Sequence, residues 1–195
     1  MHSISPKTPS ENSFQLKLIF SIVLFAIVSR IAIPPFFGHI PNFSPLDAIA
    51  LFCGTYFYKR IAAFVITLLS VWLGDIVINK MMLGHVVFFY PGCYWQYASY
   101  LLIAVVGMRL HQGVTLQRVA KACLASSMLF FMISNFGVWM SGALYPMTTD
   151  GLIACYVAAI PFFKNTLLSD FLFAAVLFGS FEFAFKRDAA VKALN

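Results

Sequence analysis

The side chains able to do chemistry in this chain are few, and they interrupt long apolar runs. Arg30, Asp47, Asp75 and Asp170 are ionisable, and Asn42, Asn135 and Asn165 lie near them in those runs or at their ends. A charged group at membrane depth is costly unless it is paired or faces water, so each marks a binding site or a structural ion pair. Trp139, Tyr145 and Tyr156 add ring surface on which a planar solute could stack. A mostly apolar pocket with a few orienting polar groups is the usual form of a small-molecule site. Structural roles fit the same residues: Arg30 with Asp47 or Asp75 would fix helix register. Asp170, close to Asn165, would cap or line the start of a last helix, and Trp95, Tyr97, Trp139 and Tyr145 would sit at the headgroup level.

Asp75, His85 and Cys93 contain the elements of a nucleophile set, but no nucleophile motif surrounds them. Cys53, Cys123 and Cys155 fall in apolar runs and read as small core residues. The four cysteines have neither CxxC spacing nor a histidine pair nearby, so no metal or disulfide framework is indicated. No cofactor motif is present, and no residue is assigned a catalytic role.

Those residues need elements that cross a bilayer. Hydrophobic residues make up 61% of the 195 positions and charged ones only 10%, well below the roughly 25% of a soluble domain. Helices that satisfy their own backbone can face lipid with such a composition. The net charge of +6 is dispersed at the ends of apolar runs, which points away from nucleic acid and toward membrane orientation.

The runs Leu16 to Phe37, Phe43 to Tyr58, Ile61 to Asn79, Trp95 to Leu110, Val119 to Met140 and Thr166 to Phe185 predict six transmembrane helices. A seventh run, Gly151 to Phe163, is short and is closed by Pro161 and Lys164, which predicts a re-entrant or interfacial helix. The fold class expected is therefore an all-α integral membrane protein. Residues 1–15 form a polar cytoplasmic tail, 16–186 the membrane domain and 187–195 a basic tail. Alternating spans put Lys7, Lys17, Lys59, Arg60, Arg109, Arg118, Lys121, Lys186, Arg187 and Lys192 on one side, against Arg30, Lys80 and Lys164 on the other. The positive-inside rule then makes both termini cytoplasmic. Two outer segments, Met81 to Tyr94 and Ser141 to Asp150, are rich in Gly, Pro and aromatic residues and suit the cover of a cavity.

The strings Pro41-Asn42-Phe43-Ser44-Pro45, Ala48-Ile49-Ala50-Leu51-Phe52, Asp75, Asn135-Phe136-Gly137-Val138-Trp139, Tyr145-Pro146, Gly151-Leu152, Cys155-Tyr156, Ala158 to Phe163, Asn165-Thr166-Leu167 and Asp170 carry a resemblance. Taken together they resemble a family of small bacterial membrane proteins of unknown function. That family is similar, more distantly, to the substrate-binding S components of energy-coupling factor vitamin transporters. The resemblance implies a six-helix bundle in the bacterial inner membrane with an outward-facing pocket for a vitamin-like solute. It also implies either an ATP-driven coupling module as partner or solitary transport. The expected solute contacts are Arg30, Asn42, Asp47, Asp75, Asn135, Trp139, Tyr145, Tyr156, Asn165 and Asp170. Two other classes fit the same residues: a membrane enzyme acting at the outer surface through Asp75, His85 or Cys93, and an assembly subunit whose charges only fix helix register.

Overall fold

The computed structural model describes residues 9–37, 40–57 and 59–194, with side chains for 17–29, 31, 32, 40–57 and 59–184. These residues form six α-helices: α1 (Pro9–Phe37), α2 (Leu46–Tyr56), α3 (Arg60–Leu83), α4 (Cys93–Leu110), α5 (Leu116–Met140) and α6 (Thr149–Leu194). Three of them are long and apolar enough to cross a membrane: Arg60–Leu83, Leu116–Met140 and the Thr149–Ala184 part of α6. The chain is thus an all-helical membrane protein.

Local chemistry sets the helix ends. Helix α3 stops at Gly84, whose left-handed φ of 76° lets its N–H turn back to Lys80 O at 3.0 Å. This is a glycine C-cap, a conformation that a side chain would strain. Helix α4 starts after a second left-handed glycine, Gly92, at φ 83°. Thr115 caps α5 by accepting the Arg118 N–H at 3.3 Å on its hydroxyl.

Helix α2 organises the bundle. It has 11 residues, about 16 Å of helix, roughly half the thickness of a hydrocarbon core. Every residue from Leu46 to Thr55 is buried, and the other five helices all pack against it. A helix apolar on all sides belongs in such a centre. The second element is therefore a core helix shorter than the run Phe43 to Tyr58, starting after Pro45 and stopped at Phe57, whose backbone is extended.

Helices α2 and α4 cross where small residues let their backbones touch. A Cβ placed on Gly54 would lie 1.9 Å from Ala104 O, and one on Gly107 would lie 2.2 Å from Leu51 O. Thr55 Oγ1 lies 2.8 Å from Leu51 O and 3.1 Å from Gly107 O, and His111 Nδ1 lies 3.0 Å from Thr55 O. These contacts join the C-terminal ends of the two helices, so α2 and α4 run in the same direction. Close small-residue packing reinforced by hydroxyl groups is a general solution where lipid removes the hydrophobic drive between helices. Thr55→Val is expected to lower stability by about 1 kcal/mol, since it deletes the hydroxyl and keeps the shape. Thermal unfolding of the purified variant in detergent checks this, and an unchanged midpoint would remove the hydroxyl from the account of this crossing.

The last helix differs from expectation. Gly151 to Phe163 is the first part of the 46-residue helix α6, not a separate re-entrant or interfacial helix, and Pro161 lies inside it. A proline removes one N–H, whereas ending the helix there would strand several backbone groups, so continuity is favoured in an apolar setting. Both tails are also helical further than expected: α1 begins at Pro9 and α6 runs to Leu194.

Candidate functional site

Asp75 lies one turn and a half before the Lys80–Gly84 cap of α3 and is 4% exposed. The segment from Gly84 to Gly92 folds back over this end of α3. Trp72 Nε1 donates to Phe88 O at 3.1 Å, and its ring packs near those of Phe88 and Phe89, with centroids 6.2 and 6.3 Å away. Next in the same segment, the Tyr90 hydroxyl reaches 2.9 Å from Gln96 Oε1 and 3.3 Å from Asp75 Oδ2. A phenol has one proton, so it donates to one acceptor at a time. Burial, followed by the Asp75 charge, holds the Tyr90 phenol well above its ordinary pKa, so it stays a donor through the physiological range. The Tyr97 hydroxyl is buried and close to the same carboxyl. Asn79 is one turn along α3 from Asp75, and its Nδ2 is buried without a partner among the described residues.

A second polar group lies in the bundle interior. Asp170, 1% exposed and midway along α6, accepts from the Ser127 hydroxyl of α5 on Oδ2. Asp47, 5% exposed in the first turn of α2, lies against it, with Cys123 alongside. Ser127 Oγ also lies 3.0 Å from Cys123 O, so this hydroxyl can serve its own helix or the neighbouring one. Asp170 therefore does not cap the start of the last helix. It joins α6 to α5 and α2.

The remaining residues expected at a solute site make separate contacts with backbone carbonyls. Asn135 Nδ2 donates to Phe131 O at 2.8 Å within its own helix, and Tyr156 OH donates to Met132 O at 2.6 Å, linking α6 to α5. Trp139 Nε1 donates to Pro146 O at 3.0 Å and pins the loop that holds half-buried Tyr145. Asn165 Nδ2 donates to Pro41 O at 3.1 Å, and Asn42 is exposed in the following turn with φ 61°. The Arg30 side chain lies outside the described residues. The structure thus gathers Asp75 into one cluster and Asp47 with Asp170 into another, and it gives Asn135, Trp139, Tyr156 and Asn165 individual bonds. Three participants were not singled out by sequence reading. Tyr90 lies inside the Gly-Pro-aromatic segment Met81 to Tyr94 and Gln96 just after it, and Ser127 is a hydroxyl in an apolar run, four residues after Cys123.

His85 does not complete a nucleophile set with Cys93. It is exposed, with Nδ1 3.1 Å from Leu83 O, while Cys93 is buried at the start of α4. Among the described residues no group of three His, Cys, Asp or Glu side chains could hold a metal ion.

No curated protein and no solved structure matches the chain. The model of a family of unknown function, DUF6580, matches residues 10–193, and the chain belongs to that family.

Proposed function

We propose that this chain is a membrane protein that binds, and takes part in transporting, a small organic solute, with the solute site at Asp75 beneath the Gly84–Gly92 segment. The observation that carries this reading is a carboxyl group only 4% exposed, met by a tyrosine from a loop that covers it. An intramembrane acid held in this way is a functional-site signal by default. Around it lie the Tyr97 hydroxyl and the Asn79 amide, buried polar groups that a solute could engage. Trp72, Phe88 and Phe89 supply apolar cover.

In this reading the chain crosses the bacterial inner membrane six times with both termini in the cytoplasm. The short α2 completes its crossing together with the irregular backbone before it, and non-helical backbone is tolerated at membrane depth where protein or water surrounds it. The sequence resemblance supports an S-component-like protein for a vitamin-like solute, working with an ATP-driven coupling module or alone.

Native mass spectrometry of the gently solubilised protein tests the proposal. The wild-type chain is expected to retain a small organic molecule. Asp75→Asn should weaken its retention at least about tenfold, the loss of one hydrogen bond to a charged group, while leaving the unfolding midpoint unchanged. Two results would defeat the reading: a wild-type chain that binds no solute, or an Asp75→Asn chain that is unstable yet binds normally once refolded.

A further inference from the structure

A lateral cleft separates α1 from α6. Its volume is about 300 Å³, and its walls are Leu18, Ser21 and Ile22 on one side and Leu177 and Phe181 on the other, with Phe52 of α2 as its floor. The two wall helices make no direct backbone approach along it, since α1 packs on α3 and α2 while α6 packs on α5 and α2. Above the cleft the rings of Phe25 and Phe173 meet edge to face at 6.0 Å and close it. Of its lining, Ser21 on α1 and Val176 and Ser180 on α6 are exposed, so the cleft opens outward.

We propose that this cleft holds an acyl chain of an anionic membrane phospholipid. The proposal rests on α1 and α6 lying in the bilayer, as the proposed function has them. The mostly apolar cleft opens outward into hydrocarbon, where the available occupant is a lipid tail. The head-group end follows from charge. Leu18 and Phe181 mark the end of the cleft nearest the start of α1 and the late part of α6. Lys17 precedes Leu18 and lies one turn from Ser21 on the same face, and it is exposed. Lys59 and Arg60 are exposed three and four residues after Tyr56, whose ring lies 4.2 Å from that of the wall residue Phe181. A tail lying in the cleft thus puts its phosphate at an end of the bundle where Lys17, Lys59 and Arg60 outnumber Glu182, which is held by the Tyr56 hydroxyl at 2.5 Å, and each Lys or Arg near an anionic lipid surface contributes to binding.

The test uses the full chain, stripped of lipid in detergent and titrated with phosphatidylglycerol or phosphatidylethanolamine of identical acyl chains. Native mass spectrometry counts the lipids retained. The wild-type chain is expected to keep one phosphatidylglycerol, with phosphatidylethanolamine held about fivefold more weakly. Ser180→Phe fills the cleft from an exposed position whose hydroxyl bonds only within its own helix, to Leu177 O at 3.2 Å. It should abolish retention without shifting the unfolding midpoint, and Val176→Trp should do the same. Lys17→Gln should lose the preference for phosphatidylglycerol and keep the weaker binding. Equal retention of the two lipids, or wild-type retention in both filled variants, overturns the proposal. Carbonate extraction of native membranes reads the underlying assumption separately: release of the chain into the supernatant would remove the bilayer placement and the lipid with it.

Discussion

Gly107→Ala is expected to destabilise the chain by about 3 kcal/mol, lowering its unfolding midpoint by about 6–12 °C. The added carbon would stand 2.2 Å from Leu51 O and 3.1 Å from Gly54 Cα. Gly54→Ala should behave alike, with its carbon 1.9 Å from Ala104 O. Overpacking is mild when the group displaced is the tip of a flexible side chain. Here it is backbone on both sides, so two helices must separate. Helix α2 has no free direction in which to retreat, because all five other helices pack on it. Separation would also stretch the Thr55 hydroxyl contact to Gly107 O and the His111 contact to Thr55 O, which measure 3.1 and 3.0 Å. Gly179→Ala on α6 is the control, since a carbon there meets nothing within 4 Å. Relief of glycine's helix penalty should leave it neutral or more stable by up to about 1 kcal/mol. Circular-dichroism melts of the three variants decide the matter. A Gly107→Ala midpoint matching that of Gly179→Ala would show that the α2–α4 crossing is not rigid.

The division of the sequence into helices was legible because the apolar runs are long and their ends carry glycine, proline or charge. Gly84 and Gly92 bracket a segment that the composition of Met81 to Tyr94 had already marked as a cover, and it lies over Asp75. Two features were not legible. The continuity of α6 through Pro161 depends on what hydrocarbon does to broken backbone, and a proline pattern read locally points the other way. The assignment of polar groups to clusters depends on which helix faces meet. Asp47 and Asp75 are near-equivalent in sequence, each an acid at an end of an apolar run. One lies against Asp170 inside the bundle and the other lies under Tyr90. Asn135 and Tyr156, expected as solute contacts, each bond a carbonyl of α5. Such local bonds are the ordinary alternative for a polar side chain in a helix, and spacing does not separate the two uses.

Ser127→Ala and Asp170→Ala are each expected to lower stability by about 2 kcal/mol, and the double variant should fall short of their sum by about 1 kcal/mol. Asp170 is 1% exposed, and the Ser127 hydroxyl is the donor that meets its Oδ2. Removing that hydroxyl leaves a buried carboxyl oxygen without its donor, and an unmet polar atom costs about 1–3 kcal/mol. Interhelical bonds in membranes couple more weakly, at most about 1.7 kcal/mol, because the unfolded chain finds other partners. That ceiling sets the coupling expected here, while loss of contacts at a fully buried position accounts for the remainder of each single effect. Asp170→Asn should be milder than Asp170→Ala, since its amide oxygen can still accept from Ser127. The same set separates two roles for this interior cluster. If Asp170 locks α6 against α5 and α2, the melts shift together and couple, and solute retention falls only as far as folded protein is lost. If it instead contacts solute, Asp170→Ala would release the retained molecule while Ser127→Ala kept both the melt and the solute. The coupled melt is the outcome expected from a carboxyl already engaged by its neighbours across two helix interfaces.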